Sequence, residues 1–286
     1  MNVIEMDNVK KTLGNFTLDI PHLAVKEGYI TGFIGQNGSG KTTTLKLIMN
    51  LLKLDGGQIK VFGKDVATES KQIHEQIGFV GEPTGYMTEA TIEQNKQMIA
   101  PFYKTWDDAL FNKYVKAFQL DTSKKIKELS QGQNKQAALI MALSHRPKLI
   151  LLDEATANLD PVIRAQILDI LMEHMQSEEV SVFYSTHITS DLDKASDYVV
   201  MMNNGKVVLY EDKETVDNKY LIIKGPKKAL SSALEKELIG IQKNAFGFEG
   251  LARLSENMAK TLGNELICEK ANIEDIMIFT QRGSRK

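Results

Sequence analysis

The sequence predicts an α/β fold organised around a parallel sheet, and three observations predict it. Ile30–Ile34, Leu149–Leu152 and Val180–Tyr184 are short apolar runs of strand length, the pattern of strands buried on both faces. Each run ends in glycine or polar residues: Gly35 onward, Asp153-Glu154, and Ser185-Thr186-His187. Helical periodicity follows the first two runs, and sheets of this kind present function at the C-terminal ends of their strands.

The loop after the first strand, Gly35–Thr43, reads GQNGSGKTT and fits G-x-x-x-x-G-K-[ST], whose backbone N–H groups wrap a triphosphate. Average composition produces that pattern in roughly one chain of this length in a hundred. Gly35, Gly38 and Gly40 let the backbone turn and approach an anion without a Cβ in the way. Leu45, Ile48, Met49 and Leu52 form the apolar stripe of a helix. The loop therefore opens a helix N-terminus, where oriented N–H groups favour phosphate. Asn37, Gly38, Ser39, Gly40, Lys41, Thr42 and Thr43 are the candidate phosphate contacts, with Lys41 reaching the β- and γ-phosphates and Thr42 ligating Mg²⁺.

Between Glu82 and His145 short buried strands give way to helices, read as a helical subdomain over residues 82–145. Thr105-Trp106-Asp107-Asp108 fits a capping box with Thr105 at the N-cap, and Leu110, Phe111, Tyr114, Val115 and Phe118 form the helix face behind it. Core packing accounts for most of these aromatics; exposed ones would mark a docking groove. Leu129-Ser130-Gln131-Gly132-Gln133 opens a second helix, predicted to run to Arg146 and stop before Pro147. Ser130 and the free N–H groups at that end make a second anion site.

In the run closed by Asp153-Glu154, Asp153 is placed to hold Mg²⁺ and Glu154 to act as base or water-positioning group. Asp160 as N-cap and Pro161 at the first helical position start a helix carrying Ile163, Ile167 and Ile170. His187 ends the next strand, which makes it a functional candidate. Asn203-Asn204-Gly205 between apolar runs predicts a hairpin. After residue 217 come a strand at Tyr220–Lys224, a Gly225-Pro226 turn, a helix through Leu238, mixed elements and a last helix around Glu274–Phe279.

These elements together resemble the ATP-binding subunit of ABC transporters over about residues 1–217. The resemblance implies a P-loop ABC ATPase core with an inserted helical subdomain, followed by a small C-terminal α/β appendage over 218–286. It implies ATP and Mg²⁺ as cofactors, Gly35–Thr43 as Walker A, Asp153 and Glu154 as the end of Walker B, and Leu129–Gln133 as the signature. Asn158–Pro161 would be the D-loop and His187 the switch histidine on the γ-phosphate. Two such domains, alike or merely similar, would dimerise head to tail, each ATP lying between one Walker A and the other signature, with Ser130 and Gly132 facing phosphate. Three departures stand out. Gln131 replaces the first glycine of LSGGQ. Leu13 aligns with the aromatic that stacks on adenine, with Phe16 as the alternative. Glu82 aligns with a glutamine, and its carboxylate is the better hard-metal ligand, so a three-acid Mg²⁺ site with Asp153 and Glu154 is expected.

The Val80-Gly81-Glu82-Pro83 segment, Trp106-Asp107-Asp108 and Ile273–Met277 resemble ATPases of bacterial exporters for antimicrobial or amphipathic peptides, including phenol-soluble-modulin exporters. Composition agrees by exclusion. The 35 basic and 37 acidic residues leave a net charge of −2 and no polycationic surface for nucleic acid. The one cysteine, Cys268, forbids an intrachain disulfide and fits a reducing compartment. No apolar run approaches the roughly 18–20 residues of a membrane span, and residues 1–10 lack signal-peptide features. The expectation is a cytoplasmic protein, peripheral on the inner face of the membrane through a polytopic membrane subunit. A soluble ABC ATPase of translation or DNA maintenance is the alternative, but such chains usually carry two domains or a long coiled-coil insertion. A P-loop GTPase or kinase is disfavoured by LSQGQ and by the missing N-K-x-D.

Overall fold

A computed structural model describes residues 1–82, 84–177, 179–263 and 265–283; Pro83 of the Val80–Pro83 segment lies outside them. Asn2–Leu13 (β1) and Phe16–Lys26 (β2) form a long hairpin, to which Gly56–Val61 (β4) and Lys64–Asp65 (β5) add an antiparallel sheet of order β2-β1-β4-β5. The second sheet contains Ile30–Ile34 (β3), Ile77–Val80 (β6), Leu149–Asp153 (β7), Ser181–Thr186 (β8), Tyr198–Asn203 (β9) and Lys206–Asp212 (β10). Its order is β10-β9-β3-β8-β7-β6, parallel except for the edge strand β10.

Side-chain alternation along these strands divides the interior in two. Phe33, Leu149, Leu151, Phe183, Val200 and Met202 point to a core shared with the β1–β2 sheet and helix Lys41–Ile48 (α1). Ile34, Ile150, Leu152, Val182, Tyr184 and Met201 point to the opposite core. There pack helices Ile92–Ile99 (α3), Asp108–Phe118 (α4) and Gln131–Leu143 (α5), with Pro161–Ser177 (α6) and Thr189–Ala195 (α7) beside them. A short helix, Ser70–His74 (α2), precedes β6. Layers on both faces of a largely parallel sheet are the predicted α/β class.

Several predicted boundaries move. Helix α1 ends at Ile48, since Asn50 turns into the left-handed region (φ 49) and Met49 and Leu52 pack from the loop. Helix α5 ends at Leu143, where the Ser144 hydroxyl donates back to the Ile140 carbonyl and Arg146 is left-handed (φ 52). The α4 cap is Asp107, whose carboxylate accepts from Leu110 N at 2.9 Å and pairs with Arg146. Thr105, predicted for that role, instead donates to the His145 carbonyl. The face behind the cap is as predicted, with Phe111, Tyr114 and Phe118 buried, while Phe102 is 78% exposed. Asp160 caps α6 through Val162 N at 2.8 Å. The predicted hairpin joins β9 to β10, with Asn204 and Gly205 both at positive φ (45 and 77), as a two-residue turn requires.

The last quarter begins with Lys213–Lys219 (α8) and builds an antiparallel sheet of order β12-β13-β11-β14. Its strands are Tyr220–Gly225 (β11), Leu238–Lys243 (β12), Phe248–Arg253 (β13) and Ile267–Lys270 (β14), the last carrying the exposed Cys268. Helices Ser232–Glu237 (α9) and Glu256–Thr261 (α10) cover one face around Ile223, Leu234 and Met258. Ile222 and Leu251 point the other way, into the large core with Ile276 and Phe279 of Ile273–Gly283 (α11). Among the described residues no helix is long and apolar enough to cross a membrane.

Candidate functional site

Strand register sets the site. Ile34 pairs with Thr186 and Asp153 with Ser185, so β3, β8 and β7 end level and deliver Gly35, His187 and Asp153-Glu154 to one rim. Helix α1 starts at that rim with Gly40 as N-cap, at φ 110 and with no side-chain cap. A Cβ there would also lie 2.9 Å from Leu18 and from Phe16, so the position takes glycine. The first N–H groups of α1 therefore face the loop with no side chain to accept from them.

A cavity of about 370 Å³ opens over this end, between Leu13 and Phe16 on one side and Asn37, Gly38, Gly40 to Thr43 and Glu154 on the other. Ser39 lies behind, its Oγ buried and without a hydrogen-bond partner. An uncapped helix start, an orphaned hydroxyl and a buried lysine in one loop fit a phosphate chain. Lys41 is 5% exposed, and its Nζ donates to Gly35 O at 2.7 Å. It also lies 3.2 Å from Glu154 Oε1, an ion pair not aligned as a hydrogen bond. Glu154 Oε2 meets His187 Nδ1 at 2.7 Å. Lys41, Glu154 and His187 thus form one polar chain beside the cavity. Glu154 holds its carboxylate there from a left-handed backbone (φ 52), a conformation a non-glycine residue keeps only when its surroundings enforce it.

Thr42 Oγ1 donates to Asp153 Oδ1 at 3.1 Å, and Ser185 Oγ donates to the same oxygen at 2.9 Å. A carboxylate and a hydroxyl side by side are hard oxygen donors of the kind Mg²⁺ takes along with phosphate and water. Ser185 was missed in the sequence. Its signal was there: a hydroxyl in an apolar strand, in register with Asp153.

Glu82 departs from expectation. Its side chain is 60% exposed and pairs with Lys135 Nζ of α5 at 3.3 Å. Among the described residues no hydrogen bond or ion pair joins it to Thr42, Asp153 or Glu154, and no group of three acids or histidines could hold a metal. In this structure the Glu82 carboxylate faces the buried ammonium of Lys135 on α5, whereas the sequence reading expected it beside Asp153 and Glu154. Lys135 was also overlooked, although a charge one turn before Leu139 on the buried stripe of α5 marks it.

The signature end is built differently. Ser130 and Gln133 cap α5 reciprocally: Ser130 Oγ accepts from Gln133 N at 3.2 Å and Gln133 Oε1 from Ser130 N at 3.1 Å. Ser130 and Gln131 are exposed, while Gly132 is buried against Leu159 and Ile163, where a Cβ would lie 3.1 Å from Ile163. No described hydrogen bond or ion pair joins Ser130 or Gly132 to the α1 loop. A further cluster went unread: buried Asp191 accepts from Thr156 at 2.7 Å and from Tyr184 at 3.1 Å, with Arg164 3.9 Å away. Burial first, and Asp191 second, push the Tyr184 phenol far up, so it remains a donor.

Comparison with known proteins gives consistent matches. The family described as ABC transporter matches residues 18–157. A probable sulfate/thiosulfate import ATP-binding protein, CysA, of Chlorella vulgaris is 33% identical over 213 residues, 72% of this chain and 89% of that one. The bacitracin transport ATP-binding protein BcrA of Bacillus licheniformis is 29% identical over 211 residues, 72% of this chain and 68% of that one. The fold also matches a dimeric, post-hydrolysis ATP-binding cassette bound to ADP and Pi, at a TM-score of 0.65 and 23% identity, over 73% of this chain and 98% of that one.

Proposed function

The chain belongs to the ABC transporter family as an ATP-binding subunit and ATPase, and from that premise we propose that it powers a membrane exporter, with a peptide as cargo. The observation that carries the assignment of roles is the Lys41–Glu154–His187 chain at the uncapped start of α1. In this reading the triphosphate lies on the N–H groups from Asn37 to Thr43, with Lys41 on its β- and γ-phosphates. The adenine rests on Leu13 and Phe16, an apolar wall in place of a stacked ring. Thr42 and Asp153 would hold Mg²⁺, which when bound supplies charge neutralisation for the phosphates. Glu154 orients the attacking water, and His187 holds the γ-phosphate while fixing the Glu154 carboxylate.

A second copy, or a similar ATPase, brings Ser130 and Gly132 to the same ATP, and closure followed by reopening drives transport. The lack of any described hydrogen bond or ion pair between α5's start and the α1 loop within one chain, and the dimeric state of the matched cassette, support this arrangement. Residues 1–217 form the motor, with 82–145 as the lever that meets a polytopic membrane subunit; the exposed Phe102 of that insert supports such a docking face. Residues 218–286 are the appendage. The protein then sits on the cytoplasmic side of the membrane and binds no nucleic acid. Likeness to a bacitracin transport protein supports peptide export, and the matches do not favour the soluble alternative in translation or DNA maintenance.

Glu154→Gln tests the roles. It should retain ATP, lose turnover by ~10²–10⁴ and elute as an ATP-bound dimer, because Asp153 remains. Sizing chromatography with ATP beside a phosphate-release assay reads both, and wild-type turnover would remove Glu154 from the reaction. Affinity purification from native membranes tests the setting. A polytopic partner supports transport; ribosomes or DNA overturn it.

A further inference from the structure

Lys135 is five residues past Ser130 on α5 and 5% exposed. An ammonium has three N–H donors, and burying one is costly unless each finds an acceptor. Here two of them donate to backbone carbonyls, and a carboxylate lies beside the ammonium as its counter-charge. Nζ donates to Glu154 O at 2.7 Å and to Ala157 O at 2.9 Å, and lies 3.3 Å from Glu82 Oε1. The two carbonyls end a tight turn whose own closing bond runs from Ala157 N to Glu154 O at 3.1 Å. That turn starts at Glu154 (φ 52) and leads into Asn158 (φ 60), both left-handed without being glycine. The backbone is strained where the carboxylate is presented, and one lysine from the neighbouring helix grips it at both ends.

We propose that Lys135 is the positioning residue for the hydrolytic carboxylate. It locks the backbone of Glu154 to the signature helix of the same chain, with Glu82 supplying the counter-charge that lets the ammonium stay buried. This rests on reading Glu154 as the group that orients water. The substitution of glutamine by Glu82 and the charge at Lys135 then form a single device. Glu82 serves the lysine rather than the metal, and the end of α5 that meets a partner's nucleotide moves as one body with the carboxylate facing its own.

The test is a double-mutant cycle with Lys135→Met, which keeps the length of the stem, in wild-type and Glu154→Gln backgrounds. Nucleotide affinity, kcat and KM are measured for each. Lys135→Met should lower kcat by about 10–100-fold, part of the ~10²–10⁴ that a positioned base contributes, and change ATP affinity less than about threefold. In Glu154→Gln the same substitution should cost little, since the carboxylate it positions is gone. A purely structural lysine would cost the same factor in both backgrounds, and that result overturns the proposal. Glu82→Gln, at an exposed site, decides the matter if Lys135→Met does not fold. It should lower kcat severalfold at unchanged ATP affinity, and wild-type kcat there would also overturn it. The separate reading of Glu154 fails only if Glu154→Gln alone turns over normally, so the two failures are distinguishable.

Discussion

Helix α1 and helix α5 both point an N-terminus at where phosphate is expected, yet they treat their unpaired N–H groups in opposite ways. At α1 the N-cap is Gly40, no side chain accepts from the first turn, and Ser39 Oγ has no partner. At α5 Ser130 and Gln133 satisfy each other in a capping box. The first end is left incomplete for a ligand; the second is complete in the isolated chain, and its serine can turn to an anion only by giving up a bond. Capping of this kind contributes ~1 kcal/mol, enough to keep α5 formed before any partner arrives. In the proposed cycle, binding and closure would thereby use two helix ends that differ in sequence and in capping.

That contrast breaks most visibly at Lys41. Lys41→Ala should weaken ATP binding by ~10²–10³, the range for deleting one partner of a buried charge-assisted contact, whereas Ser130→Arg should leave single-site affinity nearly unchanged and abolish turnover. Calorimetric titration and phosphate release on the two variants give the split. Equal loss of affinity in both would mean that the ends are not distinct. Stability follows the same line. At a hundred times its Kd, Mg-ATP should stabilise wild type by ~2.7 kcal/mol and Lys41→Ala by almost nothing, read as a shift in Tm.

The far end of α5 supplies a pH test of comparable size. His145 stacks on Tyr103 at 4.0 Å, and burial holds its pKa down at about 4. The folded protein keeps this ring neutral while the unfolded chain takes up a proton below its usual 6.5. Stability therefore falls as pH drops from 6.5 toward 4, by on the order of 2 kcal/mol, and recovers as pH rises. His145→Phe should flatten that slope in urea titrations. Ser130→Ala comes next, costing ~1 kcal/mol without nucleotide. Gln131→Gly is the smallest: ATPase activity stays within about twofold and stability drops by ~0.5–1 kcal/mol or less, since Gln131 is exposed in the first turn.

What the sequence made legible was local. The phosphate loop, the carboxylates at the end of β7, the polar close of β8 at His187 and the β9–β10 turn are stretches of adjacent residues whose type dictates their geometry. The ends of α1 and α5 were not, because Asn50 and Arg146 enter the left-handed region for reasons set by tertiary packing. Asp107 displaced Thr105 as a cap because His145, forty residues on, claimed the threonine hydroxyl. The β1–β2 hairpin went unread, since β1 mixes polar and apolar residues around a register shift after Asn2. The Glu82–Lys135 pair was not legible, because Lys135 lies 53 residues away on a helix. No spacing rule joins them.

Cys268 gives the molecule one chemical address. It is the sole cysteine, exposed on β14 in the C-terminal sheet, remote in sequence from every residue assigned to ATP. Its thiol is pushed up by partial burial, so it reacts more slowly than an ordinary thiol at neutral pH and faster as the medium is made alkaline. A fluorophore or spin label attached there needs no cysteine-free background, and two labelled copies yield a single distance. In the homodimer proposed above, opening and closing would become a spectroscopic coordinate that leaves the nucleotide site untouched.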